Sequence, residues 1–463
     1  MDGISVGGRE AVKSSRKAPA KKSKRAAKPV KSSFKLKNHI RFVTATSLFD
    51  GHDAAINVMR RMIQGTGAEV IHLGHNRSVE EIISAAIDED VQGIAISSYQ
   101  GGHIEFFQYM IDLLKQRGAG HIKVFGGGGG VIVPEEVRAL HKYGVSRIYT
   151  PEDGQAMGLP GMIEDLVGRA DFDLSKKLPK TLAKLKKGDR GVLARLITGL
   201  EAGTLSKTMR KDLTALAKKR SGVNAAGVPV VGITGTGGAG KSSLTDEVVR
   251  RLRTDQPDMK IAIVAVDPSR RKSGGALLGD RIRMNAIDRF PGNGSVYLRS
   301  LATRGSGSEL AACLPGAIAA CKAAGYDFVL VETSGIGQGD AAIVPFVDLT
   351  IYAMTPEYGA ASQLEKIDML DFADLVAINK FDRKGARDAF RDVRKQYQRN
   401  HELFAQTVDE MPVFGTIASK FNDDGVTALY HGILGALADR GLAQLSSALP
   451  DNPNKCSSRQ DFI

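Results

Sequence analysis

The chain is short of cysteine, has no long apolar run and shows no short-period internal repeat. Its three cysteines, Cys313, Cys321 and Cys456, form no CxxC pair, which excludes a disulfide framework. Cys313 and Cys321 fall in an alanine-rich helical pattern and read as buried thiols of a reducing cytoplasm. No uninterrupted apolar stretch reaches the roughly 18 residues of a membrane span, and the amino-terminal segment lacks the central apolar run of a signal peptide. The missing repeat excludes solenoids and propellers. Acidic residues are also in deficit, 51 Asp and Glu against 64 Lys and Arg, for a formal charge of +13. That excess sits mostly in residues 1–40, where twelve Lys and Arg face only Asp2 and Glu10. The remainder is nearly balanced, which argues against specific nucleic-acid binding by a folded domain. The basic head, AVKSSRKAPAKKSKRAAKPVKSS, is too poor in apolar residues to offset its ordering entropy. Residues 1–38 are expected to be a disordered, solvated tail, with weak contact to nucleic acid or an anionic surface as the other reading.

What is present is alternation, and 463 residues leave room for more than one core. From 39 to 172, short β-rich runs (IRFVTAT, AEVIHLG, GIAISS, IKVFGGG, RIYT) alternate with segments of helical spacing. The pattern predicts a doubly wound, flavodoxin-like parallel sheet with ligands at the carboxyl ends of its strands. Residues 173–223 are basic, strand-free and helically periodic, and predict a helical connector. A second α/β block spans 224–447, and 448–463 is expected to be unstructured.

The second block carries the more specific motif. Gly235-Thr-Gly-Gly238-Ala-Gly240-Lys241-Ser242 matches GxxxxGK[ST] between an apolar strand and a helix. In that context the backbone N–H groups converge on phosphate, Lys241 adds a charge near the β- and γ-phosphates, Ser242 can ligate Mg²⁺, and Ser243 follows in the same cradle. Asn379-Lys380-Phe381-Asp382 ends the run DLVAI as the N-K-x-D motif of P-loop G proteins does. Its aspartate accepts from guanine donors that adenine lacks, and TIASK, with Ser419, stands where a further base-contacting loop should be. YDFVLVETSGIGQGD puts Glu332 and Gly335 in the place of D-x-x-G, so Glu332 is a candidate for Mg²⁺ and catalysis together with Lys241. Asp267 and Asp280 are the other acidic candidates for the metal. Asp280 with Arg281 and Arg283 reads either as a surface ion pair or as a switch loop meeting Mg²⁺ or phosphate.

VDPSRRKSGGALLGDRIRM and VETSGIGQGD resemble the G-protein chaperones that serve methylmalonyl-CoA mutase, over residues 190–440. The resemblance implies GTP/GDP and Mg²⁺ binding, slow hydrolysis, and gating of cobalamin loading on a mutase. VDPSRR departs from the family's usual D-P-S-S. Gln338 comes three residues after Gly335, so no water-positioning glutamine of the usual spacing is assigned.

In the first block, Asp50 and His52 stand where a strand hands over to a helix. An imidazole ligand needs an acceptor on its second nitrogen, which Asp50 can supply. Ser97-Ser98-Tyr99-Gln-Gly-Gly-His103 closes the third strand, Gly126 to Gly130 closes the fourth, and glycines admit a bulky ligand to the backbone. These elements resemble the B12-binding domain of cobalamin-dependent mutases and methionine synthase, with signatures D-x-H-x-x-G, S-x-L and G-G. The resemblance makes His52 the lower cobalt ligand of adenosylcobalamin, Asp50 its orienting partner and Ser97 a contact of the displaced base, with the nucleotide tail beside Gly129 and Gly130. Ala55 replaces the last glycine of the first signature and Tyr99 the leucine of the second; His103 reads as structural.

The two halves in this order are similar to the amino-terminal part of the fused acyl-CoA mutases, of the isobutyryl-CoA and methylmalonyl-CoA type. Those proteins continue into a barrel, for which no residues remain after 440. The expectation is therefore a truncated form or split subunit that binds adenosylcobalamin and hydrolyses GTP but isomerises no acyl-CoA alone. Its expected partners are an acyl-CoA mutase barrel domain or subunit, an adenosyltransferase that delivers cobalamin, and a second copy in a homodimer. A stand-alone cobalamin-binding GTPase chaperone or sensor is the alternative. A methyl-transferring corrinoid protein is disfavoured by the G-protein half.

Overall fold

Strands that are buried on both faces give the chain its layers, as the near-continuous Val/Ile/Ala runs require of parallel sheets covered by crossover helices. The computed structural model describes residues 34–220, 227–287, 294–304, 310–335, 340–359 and 361–459. Nearly all of the expected basic tail lies outside them. Lys35–Ile463 make one compact unit, and no helix among the described residues is long and apolar enough to cross a membrane.

The first sheet contains β1 (Arg41–Thr46), β2 (Glu69–Gly74), β3 (Gly93–Ser97), β4 (Lys123–Gly127) and β5 (Arg147–Tyr149). Its helices start on local signals: Ser78 with Glu81, and Thr150 with Asp153, form capping boxes that satisfy the orphan N–H groups of the helices Val79–Asp88 and Pro151–Arg169. The second sheet contains β6 (Val230–Gly235), β7 (Ile261–Asp267), β9 (Val296–Ala302), β10 (Phe328–Glu332), β11 (Leu349–Met354), β12 (Leu375–Asn379) and β13 (Val413–Thr416), with β8 (Ala276–Leu278) lying between β7 and β9 in sequence. Its order is β13-β12-β11-β6-β10-β7-β9, and every pairing is parallel.

The short strand β8 departs from the expected plan. Residues 276–278 leave the second block and extend the first sheet, whose order is β5-β4-β3-β1-β2-β8. Ala276, Leu277 and Leu278 run parallel to Glu69, Val70 and Ile71, and Ala276 and Leu278 are fully buried in the first domain's core. The strand covers the backbone edge of β2, which would otherwise be open.

The helical connector is present, but it is a layer of the second core rather than a tether. Leu193, Leu196 and Ile197 of the helix Arg190–Glu201 pack with Val230, Val264 and Leu301 of the second sheet. The same helix reaches the first domain through buried charge. Glu201 pairs with Arg41 at 2.6 Å and with Arg299 at 2.5 Å, and Glu69 pairs with Arg41 at 2.5 Å and with Arg304 at 2.7 Å. Burial alone would raise both carboxyls, but the surrounding guanidinium groups outweigh it and hold them below the ordinary range. Asp88, at the end of its helix, takes Arg190 at 2.5 Å and Arg281 at 3.1 Å. Arg281 is thus neither part of a surface ion pair with Asp280 nor a phosphate ligand, because it is buried against the first domain.

Residues 448–459 correct a second expectation. Cys456 bridges Gly415 of β13 in parallel, Ser457 Oγ donates to Asp423 Oδ1 at 2.5 Å, and Asp423 Oδ2 accepts from Ile417 N at 3.0 Å. Backbone pairing of two or three residues leaves no periodicity in a sequence, and the expected unstructured end is in fact built onto the sheet beside TIASK.

Candidate functional sites at two sheet ends

At the carboxyl end of β1 the chain turns back on itself. Asp50 has no exposed surface, and its Oδ1 accepts from His52 N at 2.9 Å and faces His52 Nδ1 at 2.8 Å. Its Oδ2 accepts from Tyr99 N, at the end of β3, at 2.6 Å. Burial would raise this carboxyl, but the Tyr99 and His52 donors hold it below its ordinary value. An ionised carboxylate only accepts, so Nδ1 carries a proton, and in the neutral imidazole the lone pair is then on Nε2. The His52 side chain is 70% exposed, which leaves that nitrogen free to take a metal from outside. This is the arrangement an imidazole would need to take a metal, with its second nitrogen already held by a carboxylate.

Beside it lies a cavity of about 370 Å³, lined among others by Ser97, Tyr99, Phe125, Tyr149 and the glycines 126–129. It is apolar and sits at the ends of β3, β4 and β5, so it suits a flat heterocycle better than a phosphate. Gly129 has φ +58°, and a Cβ there would come within 2.4 Å of the Tyr99 ring. The glycine makes room for tyrosine where the signature has leucine. Ala55 also lines the cavity, and its methyl group leaves it open. Gly130 is exposed and, like His52, lies outside the lining. His103 faces Glu136 at 2.9 Å and the Gln100 carbonyl at 3.2 Å, holding the start of its helix to the next one.

The nucleotide motifs also meet at strand ends. Gly235 closes β6 with φ +139°, and a Cβ there would fall 1.9 Å from the Ala353 carbonyl oxygen; only glycine permits this turn into the loop containing Gly238. Gly240 is left-handed and starts the helix Lys241–Asp255, whose first N–H groups form an anion site. Lys241 Nζ donates to the carbonyls of Gly235 at 2.9 Å and Thr236 at 3.2 Å. Ser242 Oγ donates to Glu332 Oε1 at 2.7 Å although 90 residues separate them, so a cation between hydroxyl and carboxylate would find both donors in place. Thr245 Oγ1 donates to the other oxygen of Glu332 at 3.1 Å. The sequence reading missed Thr245, although its place one helical turn beyond Ser242 was the available signal.

Asp267 ends β7, the neighbour of β10, two residues beyond Ala265, the register partner of Glu332. Asp280 opens the turn Asp280–Arg283, and Arg283 is exposed. No cluster of three or more His, Cys, Asp or Glu able to hold a metal occurs among the described residues. A Mg²⁺ here would therefore depend on Ser242, a carboxylate and phosphate oxygens, as hard cations at nucleotide sites do. Ser243 follows in the same helix. Gln338 lies outside the described residues.

Asn379 is a strut between loops. Its Nδ2 donates to Ala239 O at 2.7 Å and its Oδ1 accepts from Ala418 N at 3.0 Å. Lys380 follows in a left-handed conformation, φ +59°, which leads the chain to Asp382. Asp382 and Ser419 are exposed, on the two loops that Asn379 joins to the phosphate loop.

A family model described as methylmalonyl Co-A mutase-associated GTPase MeaB matches residues 193–439, more than half of the chain. The chain belongs to that family. This mutase-associated GTPase also matches the B12 binding domain over residues 40–154, so it joins a cobalamin-binding domain to a GTPase. It is 64% identical over 427 residues to the fused isobutyryl-CoA mutase of Cupriavidus metallidurans, covering 92% of this chain and 38% of that protein. It is 60% identical over 421 residues to the fused isobutyryl-CoA mutase of Nocardia farcinica, covering 91% and 38%. Against the mitochondrial methylmalonic aciduria type A homolog of Mus musculus the identity is 34% over 206 residues, 43% of this chain and 48% of the other. The mutase-associated GTPase thus spans about two-fifths of the length of the fused mutases it matches.

Proposed function

We propose that this chain is the cofactor-loading part of an acyl-CoA carbon-skeleton mutase of the isobutyryl-CoA or methylmalonyl-CoA type, in the cytoplasm. It holds adenosylcobalamin with its own base displaced, on His52, and gates the loading of that cofactor by GTP turnover. The observation that carries the reading is the pinned imidazole, with Nδ1 2.8 Å from Asp50 and the other nitrogen outward, beside an apolar cavity on a domain that shares a strand with a GTPase.

When bound, the cofactor supplies a homolysable cobalt–carbon bond, and the rearrangement itself needs an acyl-CoA-binding barrel, in the same polypeptide or as a separate subunit. The chain's own residues hold and orient. Asp50 fixes the His52 tautomer, Ser97 and the glycines up to Gly129 and Gly130 take the displaced base and its tail, and Tyr99 closes the wall of the cavity. On the nucleotide side, Lys241 and the N–H groups around Gly238 and Gly240 take the phosphates. Ser242 and Glu332 would hold Mg²⁺ together with phosphate oxygens, with Asp267 and Asp280 as the other carboxylate candidates and Ser243 and Arg283 on the phosphate side. Asn379, Lys380, Asp382 and Ser419 present the guanine pocket. The chain leaves β7 after Asp267, pairs with β2 as β8 at 276–278 and returns through the Asp280 turn, so a change in a loop around the γ-phosphate would have a covalent route to β2. An adenosyltransferase would deliver the cofactor, and a homodimer is the expected assembly.

An absorbance titration with adenosylcobalamin tests the first site. The parent should bind with the spectrum of the base-off, histidine-ligated form, and His52→Ala should lose that spectrum; identical base-on spectra for both would reject the axial role. For the second site, Asp382→Asn should shift preference from guanosine toward xanthosine triphosphate, because the amide presents a donor where the carboxylate only accepted. Hydrolysis assays with GTP, XTP and ATP read the shift, and equal affinity of the parent for ATP and GTP would sink the base-choice argument.

A further inference from the structure

Phe49 breaks two habits of a folded surface at once. Its backbone is left-handed, with φ +64°, where the Cβ of a bulky residue crowds the following carbonyl. Its ring is 78% exposed, although aromatic rings supply much of the burial that stabilises a fold, and Phe49 is no member of its own domain's apolar cluster.

The conformation is imposed by neighbours. Phe49 N donates to Asn76 Oδ1 at 2.8 Å, and Asn76, itself at φ +56°, donates from its N–H to Thr46 Oγ1 at 3.1 Å. The Thr46 hydroxyl in turn donates to the Asp50 carbonyl at 2.8 Å. The loops after β1 and β2 are therefore tied together so that an apolar ring stands in water next to the carboxylate that orients His52. Backbone strain that the fold itself does not reward marks a group kept for a ligand.

We propose that Phe49 is a corrinoid contact: an apolar shelf that takes the lower side of the macrocycle carried on His52. The proposal rests on the reading of His52 as the cobalt ligand. Only Asp50 and Gly51 lie between the two, a Cα span of at most about 10 Å, so a macrocycle centred on the histidine nitrogen would come within reach of the ring. Burial of an exposed ring by the ligand, rather than by folding, then offsets the strained backbone.

The test uses the full chain with Phe49→Gly and Phe49→Ala, titrated with adenosylcobalamin by absorbance, and thermal unfolding without cofactor. Both variants should bind on the order of tenfold more weakly while keeping the base-off spectrum. Glycine alone accepts the left-handed backbone without strain, so Phe49→Gly should raise the cofactor-free transition by about 1–3 °C and Phe49→Ala should not. Unchanged affinity in Phe49→Gly overturns the proposal; an unraised transition overturns the strain that motivates it. A parent that never shows the base-off spectrum removes the His52 reading itself, and the shelf with it.

Discussion

Lys241→Ala should lower GTP turnover by roughly 10²–10³-fold while leaving the chain folded, the usual loss when one preorganised charge is removed from a developing anion. Without nucleotide, Lys241 is held by two carbonyls of its own loop, those of Gly235 and Thr236. On the function proposed above, those anchors would be exchanged for phosphate oxygens when nucleotide enters, and the loss should fall chiefly on catalysis and phosphate binding. Single-turnover hydrolysis, with circular dichroism as the folding control, separates the two. Turnover within tenfold of the parent would remove Lys241 from the phosphate site.

The second large effect concerns stability. Glu201→Ala leaves the fully buried Arg299 without the carboxylate that held it at 2.5 Å, and takes from buried Arg41 one of its carboxylates, at 2.6 Å, while Glu69 stays on it at 2.5 Å. Stranding buried charge in this way costs about 3–5 kcal/mol, and urea denaturation should show it as a lowered midpoint. The effect has a pH sign. Glu69 and Glu201 sit below the ordinary carboxylate range in the folded chain, so their contribution is fully present above an unfolded value of about 4.3 and is lost as pH falls through the depressed folded values. The interface should therefore withstand mild acid, and in Glu201→Ala that part of the acid-dependent unfolding should disappear. An unchanged urea midpoint would show that the cluster is decorative.

Both domains were legible wherever local residues encode them. Two alternating blocks predicted two parallel sheets, and GTGGAGKS between strand and helix predicted a phosphate loop, because that loop's geometry depends only on neighbouring glycines. Asp50 and His52 were legible as a pair for the same reason, being two residues apart. Contacts between distant elements were not. ALL is too short to carry a period, so β8 read as part of a loop, and GDRIRM read as a surface ion pair or a phosphate-facing loop because a buried arginine and an exposed one look alike in a sequence. Glu69, Glu201 and Arg299 lie in three separate elements and acquire meaning only when those elements meet. Thr245 was passed over because one hydroxyl on an amphipathic helix is ordinary until Glu332 stands opposite it.

The shared strand also decides where this polypeptide can be divided. The helical stretch 173–223 looks like the place to separate a vitamin carrier from its GTPase, yet a break there yields neither part whole. The amino-terminal product would expose the edge of β2, an invitation to stack on other copies. The carboxyl-terminal product would carry ALL as an apolar ribbon with no sheet to join, and Arg281 without Asp88. Gene fission or domain grafting in this lineage would have to move residues 268–287 with the carrier, or replace β8 with another strand.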